Sequence, residues 1–334
     1  MKSIIVILLI GLALVVFIQY ETYSQTDNPR AKIGNGIYVS PDVSTRTGLL
    51  YISHITLDYV SVLDPESNQL IGKIKAGEGP CSIELSSDKG YIGNFWSNDI
   101  TVFNKKTGNT IATIPAGGHP THLVLTADSL YLLIGHESAD GLWIMDIHTN
   151  KIVNKLAEGI GILCRHEKEK IVYQSQISTP FVFVIDPERQ MIVKKIDVGG
   201  RPLELAFTPN QKYLYVANFD LSELEKIDIK TNSVVARISQ ITNARGIAIT
   251  HDGRLAYVTN VKSATVMVVD LASAAIVKVI KVGRMPTSVA FRTDGKYAYV
   301  SCQGNASISV IDTKTQEVDQ SIAVGDNPIM VQVK

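Results

Sequence analysis

The sequence of 334 residues has few cysteines and no excess of either charge, and both shortages exclude classes of protein. Its three cysteines, Cys81, Cys164 and Cys302, are an odd number at wide spacings, which fits neither a disulfide framework nor a paired metal-ligand pattern. We expect them to be small buried residues. Basic and acidic residues number 32 each, so the chain lacks the basic excess of a nucleic-acid-binding surface, and no nucleic-acid partner is predicted.

Motifs for common catalytic chemistries are also absent. The chain has no Gly-x-Ser-x-Gly nucleophile elbow and no Gly-x-x-x-x-Gly-Lys-Ser/Thr phosphate loop. A catalytic triad assembled from distant parts of the chain stays open, because its members need not be close in sequence. The sequence therefore predicts no catalytic residue and no cofactor.

A long hydrophobic run occurs at the N-terminus, over residues 4–18, and follows Lys2. It is long for the core of a signal peptide and short for a membrane span, which needs roughly 20 residues. We predict that residues 1–24 are a signal peptide or an N-terminal membrane anchor, followed by a linker over 25–32. Both alternatives predict an extracytoplasmic protein, secreted or at the cell surface, that contacts the membrane only through this segment.

The rest of the chain is dominated by a repeat, seen most clearly in the Tyr-Val-Thr-Asn of residues 257–260. The position of its last residue recurs at steps of 40, 42, 40, 42, 42 and 42, and we call it the Asn slot: His54, Asn94, His136, Gln176, Asn218, Asn260 and Cys302. An acidic or amide residue follows ten positions later each time: Asp64, Asn104, Asp146, Asp186, Asp228, Asp270 and Asp312. Seven copies in one register indicate a repeat architecture.

Each repeat predicts four short antiparallel strands, because apolar runs alternate with Gly, Pro, Asn and Asp turns, as residues 283–328 illustrate. We therefore predict an all-β fold, a monomeric seven-bladed β-propeller of four-stranded blades over residues 33–334. Residues 329–333 form a last strand that we expect to complete the first blade and close the ring. Residues 37–40 also resemble an innermost strand for the same place.

Two further positions of the repeat have structural explanations. The series that begins at Asp64 is expected to form turns, because an Asx side chain accepts a hydrogen bond from a backbone N–H two residues on. A tyrosine position is expected to pack between neighbouring sheets. Its members are Tyr51, Tyr173, Tyr215, Tyr257 and Tyr299.

The repeat resembles that of the YVTN β-propeller family. The resemblance rests on Tyr-Val-Thr-Asn at 257–260, Tyr-Val-Ala-Asn at 215–218, Val-Ile-Asp at 184–186 and 310–312, and a Val-Gly-x-x-Pro turn, which recurs at 198–202, 282–286 and 324–328. It implies a seven-bladed propeller of the kind found in surface-layer and secreted proteins, mostly of unassigned biochemistry. The fourth unit departs from the pattern by lacking the proline of the turn, and the sixth by replacing the turn. The resemblance transfers no catalytic residue.

Candidate ligand-binding residues lie in the Gly-x-x-Pro turns, which we expect at one mouth of the central channel together with the loops after the Asn slot. Arg201, Arg245 and Arg284 belong to consecutive units and predict a positive arc for a carboxylate, phosphate or acidic sugar. His119 lies in the corresponding turn of another unit. The alternative is that these are ordinary solvated loop residues.

Four histidines, His54, His119, His122 and His136, form a second candidate set, for a metal or a haem iron. Its weakness is geometric, because residues at i and i+3 of a strand point to opposite faces. The sequence favours a binding or interaction scaffold, and it leaves enzymatic activity uncertain. The predicted partner at the channel mouth is a protein, a glycan or a cell-envelope component. The alternative is a periplasmic-type propeller enzyme, either a lactonase-like hydrolase or a redox protein with metal or haem at the mouth.

Overall fold

The computed structural model describes residues 47–334, with the exception of Ala139, Ala157 and Ile160. This part of the chain consists of β-strands, turns, loops and one short 3₁₀ segment at Gln303–Asn305. The predicted N-terminal segments 1–24 and 25–32, and the competing strand 37–40, lie outside the described residues. Within the described part, no helix has the length and apolarity needed to cross a membrane.

The strands have the following bounds in chain order: β1 Leu50–His54, β2 Tyr59–Asp64, β3 Gln69–Lys75, β4 Pro80–Leu85, β5 Lys89–Asn94, β6 Asp99–Asn104, β7 Thr110–Pro115, β8 Pro120–Leu125, β9 Tyr131–His136, β10 Leu142–Asp146, β11 Lys151–Leu156, β12 Leu163–Arg165, β13 Val172–Ser175, β14 Phe181–Asp186, β15 Met191–Asp197, β16 Pro202–Phe207, β17 Tyr213–Asn218, β18 Glu223–Asp228, β19 Ser233–Ser239, β20 Ala244–Ile249, β21 Leu255–Asn260, β22 Thr265–Asp270, β23 Ala275–Lys281, β24 Pro286–Phe291, β25 Tyr297–Cys302, β26 Ser307–Asp312, β27 Glu317–Ala323 and β28 Pro328–Val333.

These strands form seven four-stranded antiparallel sheets, which confirms the predicted seven-bladed propeller. Blade 1 has the order β28-β1-β2-β3, and blades 2 to 7 each take four consecutive strands, from β4-β5-β6-β7 to β24-β25-β26-β27. The first strand named in each blade is innermost. Innermost strands of successive blades contact one another around the ring, including β24 with β28 and β28 with β4.

The ring closes through the C-terminal strand, as predicted. Strand β28 pairs antiparallel with β1, and Val331 lies opposite Ile52. Both side chains are buried in a cluster shared by blades 7 and 1. The last strand of the chain and the first described strand therefore belong to one sheet, so the closure is non-covalent.

The core is divided among the blade interfaces. Each pair of neighbouring blades shares one cluster of buried apolar side chains, so the hydrophobic stabilisation lies between sheets. The predicted tyrosines are buried in these interfaces, and Tyr91 joins them in blade 2. The series that begins at Asp64 forms Asx turns in six blades, as predicted, and in blade 5 Asp228 accepts the backbone N–H of Thr231, three residues on.

Candidate functional site at the channel mouth

The turns before the innermost strands and the loops after the Asn slot lie at the same end of the ring, which we call the mouth. Pro80 is paired with Asn94, Pro202 with Asn218, and each following loop donates backbone hydrogen bonds to the turn beside it. The two predicted loop sets therefore meet, and their side chains surround the entrance to the channel.

Residues of the Asn slot hold the turn in place and do not project into the mouth. Asn218 is fully buried, and its Nδ2 donates to the carbonyl of Gly199 at 2.8 Å in the turn before β16. His136 substitutes as the donor in blade 3, where Nε2 faces the Ala116 carbonyl and Nδ1 lies 2.7 Å from the Gly141 carbonyl. The histidine has replaced asparagine as a structural donor.

His54 has the same structural role in blade 1. Its Nδ1 lies 3.1 Å from the Asp326 carbonyl and its Nε2 lies 2.9 Å from Ser61 Oγ. Both residues are completely buried, and Ser61 Oγ also donates to the carbonyl of Val324 at 3.3 Å. This serine–histidine pair has no exposed nucleophile and gives no support to a hydrolase.

The four candidate histidines do not form a common metal site. Within the described residues, no group of three or more His, Cys, Asp or Glu side chains is arranged to hold a metal ion. His54 and His136 have both ring nitrogens engaged, as described above. His122 lies on the innermost strand β8, where burial lowers its pKa to about 3 and its buried Nδ1 has no hydrogen-bond partner.

His119 alone among them combines a position in a mouth turn with an unengaged ring nitrogen. Its backbone adopts φ 54°, and its N–H donates to Asn98 Oδ1 at 2.8 Å. The ring stacks on Phe95 at a centroid distance of 4.4 Å and meets the edge of Trp96 at 5.8 Å. Its Nδ1 lies 3.1 Å from the Phe95 carbonyl, which can only accept, so Nδ1 carries the proton and Nε2 keeps its lone pair.

The three predicted arginines have different environments and do not form one arc of equivalent charges. Arg201 Nη2 donates to Asp220 Oδ1 at 3.0 Å, and its guanidinium lies over the ring of Phe219. Arg284 is exposed, and its Nη2 donates to the carbonyl of Gly304 at 2.9 Å.

Arg245 is the arginine that belongs to the channel itself. It lies on β20, where burial lowers the pKa of its guanidinium, while the charges of Glu204 and Glu137 oppose that shift. These two partners come from blades 5 and 3, so the guanidinium from blade 6 interacts across the channel. Its side chain makes no hydrogen bond or ion pair to another described residue.

Glu204 is the carboxylate nearest to Arg245 along the ring, on the neighbouring innermost strand β16. Its Oε2 accepts a hydrogen bond from the backbone N–H of Ile247 at 2.9 Å. Burial raises the pKa of Glu204 to about 7, although this bond and Arg245 act in the opposite direction. The sequence identified Arg245, but Glu137 and the aromatic pair Phe95 and Trp96 were missed. The one sequence feature that indicated them is that they directly follow the Asn slot, Phe95 and Trp96 after Asn94 and Glu137 after His136.

A second charged cluster lies deeper in the channel, towards the other ends of the innermost strands. Glu84 on β4 is almost completely buried, and its Oε1 accepts from Lys334 Nζ at 2.7 Å. Arg165 Nη1 lies 3.9 Å from the other oxygen of the same carboxylate. Side chains from blades 1, 2 and 4 therefore meet at one buried carboxylate.

Comparison with known proteins supports the propeller fold. The family model described as "Cytochrome D1 heme domain" matches residues 175–288, about a third of the chain. Antigen Lp49 of Leptospira interrogans serogroup Icterohaemorrhagiae serovar copenhageni (strain Fiocruz L1-130) is 30% identical over 143 residues, which are 38% of this chain and 30% of the antigen. The chain thus spans under a third of that relative.

Solved structures resemble the chain over most of its length. A functionally unknown protein from Desulfotomaculum acetoxidans DSM 771 superimposes with a TM-score of 0.74 at 12% identity, covering 86% of this chain and 99% of its own. Kuenenia stuttgartiensis hydrazine synthase gives 0.70 at 16%, covering 84% and 99%. Dihydro-heme d1 dehydrogenase NirN in complex with DHE gives 0.66 at 16%, covering 90% and 68%. At these identities, the solved structures support the fold alone.

Proposed function

We propose that the chain is an extracytoplasmic binding propeller whose mouth holds a haem-type tetrapyrrole, a planar metal-holding ring that carries carboxylates. The observation that carries this proposal is His119, a half-buried imidazole at the mouth whose Nδ1–H is bonded to a carbonyl and whose Nε2 bonds to no other described residue. Metal-ligating histidines are commonly oriented in this way, because a hydrogen bond at one nitrogen fixes the tautomer and directs the other nitrogen to the metal.

The residues present fit such a group. Since the macrocycle itself holds the iron, His119 alone would suffice as the ligand from this chain. A cluster of three protein ligands is not required. Phe95 and Trp96 place aromatic surface beside His119, and Trp96 is 40% exposed. This edge of the mouth therefore offers a ligand atom next to apolar surface, as a planar hydrophobic ring requires.

The opposite side of the channel supplies positive charge for a carboxylate. Arg245 makes no side-chain hydrogen bond or ion pair to the described residues, and a guanidinium suits a carboxylate because its donors form a planar fork. Arg201 and Arg284 remain secondary candidates, because each already has a partner at the mouth. A ligand with both a metal centre and acidic groups would use both sides of the mouth.

The family comparison supports this proposal in part. The matching family is described as "Cytochrome D1 heme domain", and the matched residues 175–288 include Arg245 but not His119. One structure with the same fold is a heme d1 dehydrogenase in complex with DHE, at 16% identity. Bound haem iron would supply one-electron redox chemistry, and we therefore prefer a redox protein to a hydrolase. The role of the chain's own residues is to ligate, orient and shield the ring.

Haem titration of the purified full chain tests the proposal. Addition of hemin is expected to give a saturable shift of the Soret band at one equivalent. The variant His119→Ala should weaken binding by about tenfold or more and remove the spectral signature of imidazole ligation. The matched control is His148→Ala, since His148 is an exposed histidine of the same blade in the turn after β10, at the other end of the ring.

The outcomes separate the parts of the proposal. No saturable binding by the wild-type chain would contradict it, as would equal spectra for His119→Ala and wild type. Loss of affinity in Arg245→Gln with the imidazole signature retained would support the assignment of this arginine to the acidic groups.

A further inference from the structure

A cleft with a volume of about 480 Å³ lies at the end of the ring opposite the mouth, between blades 4 and 5. Three segments line it. The loop after β12 contributes His166 and Lys168, the loop after β16 contributes Gln211 and Lys212, and the turn after β18 contributes Lys230. Its size is within the range of small-molecule sites.

A buried histidine joins the first two walls of this cleft. His166 is 4% exposed, and its Nδ1 accepts from the backbone N–H groups of Lys168 at 3.2 Å and Glu169 at 2.9 Å. Its Nε2–H donates to the carbonyl of Gln211 at 3.1 Å, in the next blade. The amide oxygen of Gln211 accepts from the backbone N–H of Glu167 at 3.1 Å. The loops that carry Lys168 and Lys212 are therefore held together before any ligand binds.

The third wall is also fixed from the neighbouring blade. The buried Tyr173 hydroxyl donates to Asn232 Oδ1 at 2.6 Å, and Lys194 Nζ donates to the carbonyl of Thr231 at 2.9 Å. Both acceptors belong to the turn after β18, which contains Lys230. Two cross-blade hydrogen bonds therefore fix the backbone of this turn, and the entropy of ordering it is not lost on binding.

The cleft carries a small excess of positive charge next to an aromatic ring. Its lining includes the exposed lysines Lys168, Lys212 and Lys230 and two carboxylates, Glu169 and Asp228, so three positive and two negative charges leave an excess of one. Within the described residues, the ammonium groups of the three lysines form no ion pair. The ring of Tyr213 lines the cleft as well.

The repeat alone does not explain this arrangement. In blade 7, Lys296 and Lys314 occupy the positions of Lys212 and Lys230, 84 residues later. There Lys296 lies 3.6 Å from Asp294, so its charge is partly neutralised within its own loop. The lysine that corresponds to Lys212 therefore has a carboxylate partner in blade 7, whereas blade 5 has Asn210 at the position of Asp294.

We propose that this cleft is a second binding site, for an organic monophosphate of about the size of a hexose phosphate. The phosphate would be held by the ammonium groups of Lys168, Lys212 and Lys230, which act as point-charge donors. The organic part would contact the Tyr213 side chain, over whose ring Lys226 Nζ lies at 3.9 Å from the centroid. The site is at the opposite end of the ring from His119 and does not depend on the function proposed for the mouth.

Isothermal titration calorimetry on the full chain at about 0.15 M salt, close to physiological ionic strength, tests this site, with glucose 6-phosphate as the probe. The double variant Lys212→Gln/Lys230→Gln should bind at least tenfold more weakly than wild type. The matched double variant Lys296→Gln/Lys314→Gln removes the same charge from the same loop positions and should bind as wild type does. Glucose should not bind, and inorganic phosphate should bind more weakly than the ester.

Each contrary result overturns the proposal. If wild type does not bind glucose 6-phosphate, the proposed site does not exist. If the two double variants lose affinity equally, the binding is a non-specific attraction to net charge. If inorganic phosphate bound as tightly as the ester, the organic part of the ligand would make no contribution to the affinity, which contradicts the proposal. Hemin binding by Lys212→Gln/Lys230→Gln should be unchanged, so this site and the mouth can fail separately.

Discussion

His54 and Asp326 are 272 residues apart in sequence, and the Nδ1 of His54 lies 3.1 Å from the carbonyl oxygen of Asp326. The contact joins the end of β1 to the turn that precedes β28, in the blade that closes the ring. In blades 2, 5 and 6 the same slot holds asparagine. The amide of Asn218, for example, forms its hydrogen bond within one repeat unit. The imidazole is therefore a donor at the ring closure, and its protonation state is coupled to folding.

Because of His54, the free energy of unfolding is expected to decrease as the pH is lowered. Burial lowers its pKa to about 4, with a further lowering by Lys73 and an opposing effect of the bond to Asp326. Since the unfolded imidazole titrates near 6.5, the unfolded state binds the proton first, and stability is lost between about pH 6.5 and pH 4, by up to about 3 kcal/mol. Below that range both states are protonated and the loss is complete.

Urea denaturation at several pH values, for wild type and His54→Asn, measures this effect. Asparagine keeps a donor in the slot and cannot titrate, so the variant should lose less stability on acidification. Exposed His148 provides the control, and His148→Asn should follow the wild-type curve. Identical pH dependence in His54→Asn and wild type would rule out this histidine as the source.

The fold was predictable because the repeat specifies it at several levels. The Asn slot and the series that begins at Asp64 gave the number of blades, and the unpartnered strand 329–333 gave the closure that β28 makes with β1. Most innermost strands begin at the proline of the Gly-x-x-Pro turn, for example at Pro202. Most local signals therefore agreed with the global arrangement, and the fourth and sixth units departed from the repeat at this turn.

The candidate site was less predictable, because it depends on distances across the channel. His54 and His136 looked like functional deviations, yet each is a buried donor that replaces asparagine. The interaction of Arg245 with Glu137 joins blades 6 and 3, and nothing in the spacing of these residues indicates it. His119 was identified from its turn, but its hydrogen bond to Phe95 required the folded chain.

The buried carboxylate of Glu84 should be important for stability. Its side chain is 6% exposed and is bonded to Lys334, with Arg165 nearby. Glu84→Gln removes the charge and leaves the ammonium group without its counter-ion, so we expect a destabilisation of about 3 kcal/mol. Chemical denaturation measures it. Glu188→Gln is the control, because Glu188 is 72% exposed and lies 4.0 Å from Lys170, and should change stability by less than about 0.5 kcal/mol. Comparable losses in both variants would contradict the prediction.

Gly246 allows two innermost strands to approach each other beside the mouth. A Cβ at this position would lie 2.7 Å from the carbonyl oxygen of Thr287 and 2.8 Å from Glu204 Oε2. Since the first of these atoms is backbone, Gly246→Ala should separate β20 from β24 and destabilise the protein by about 1 to 3 kcal/mol.

Gly93→Ala is the comparison for Gly246→Ala in denaturation experiments. The three atoms nearest to a Cβ at Gly93 all belong to the side chain of Leu123, the first at 3.3 Å, so a small shift relieves the contact. We expect a smaller loss than at Gly246. An equal or larger loss at Gly93 would show that strand separation at the channel is not the decisive cost.

Binding of an acidic ligand at the mouth should depend on the protonation of Glu204. Burial raises its pKa to about 7, and the charge that acts on it is that of Arg245, on the neighbouring innermost strand. Below pH 7 the carboxyl is neutral, which removes a negative charge from the neighbourhood of Arg245. Hemin affinity of the wild type should therefore be higher at about pH 6.5 than at about pH 8.5, by several-fold, or ~1 kcal/mol.

The variant Glu204→Gln separates this carboxyl from other titrating groups. Its amide oxygen can still accept the backbone N–H of Ile247, so the strand contact is kept. Glu204→Gln should bind hemin with the high affinity at both pH values. Glu188→Gln should keep the pH dependence of the wild type, since Glu188 is exposed in the turn after β14. If Glu204→Gln retains the full pH dependence, another group controls it, and the coupling between Glu204 and Arg245 has no part in ligand binding.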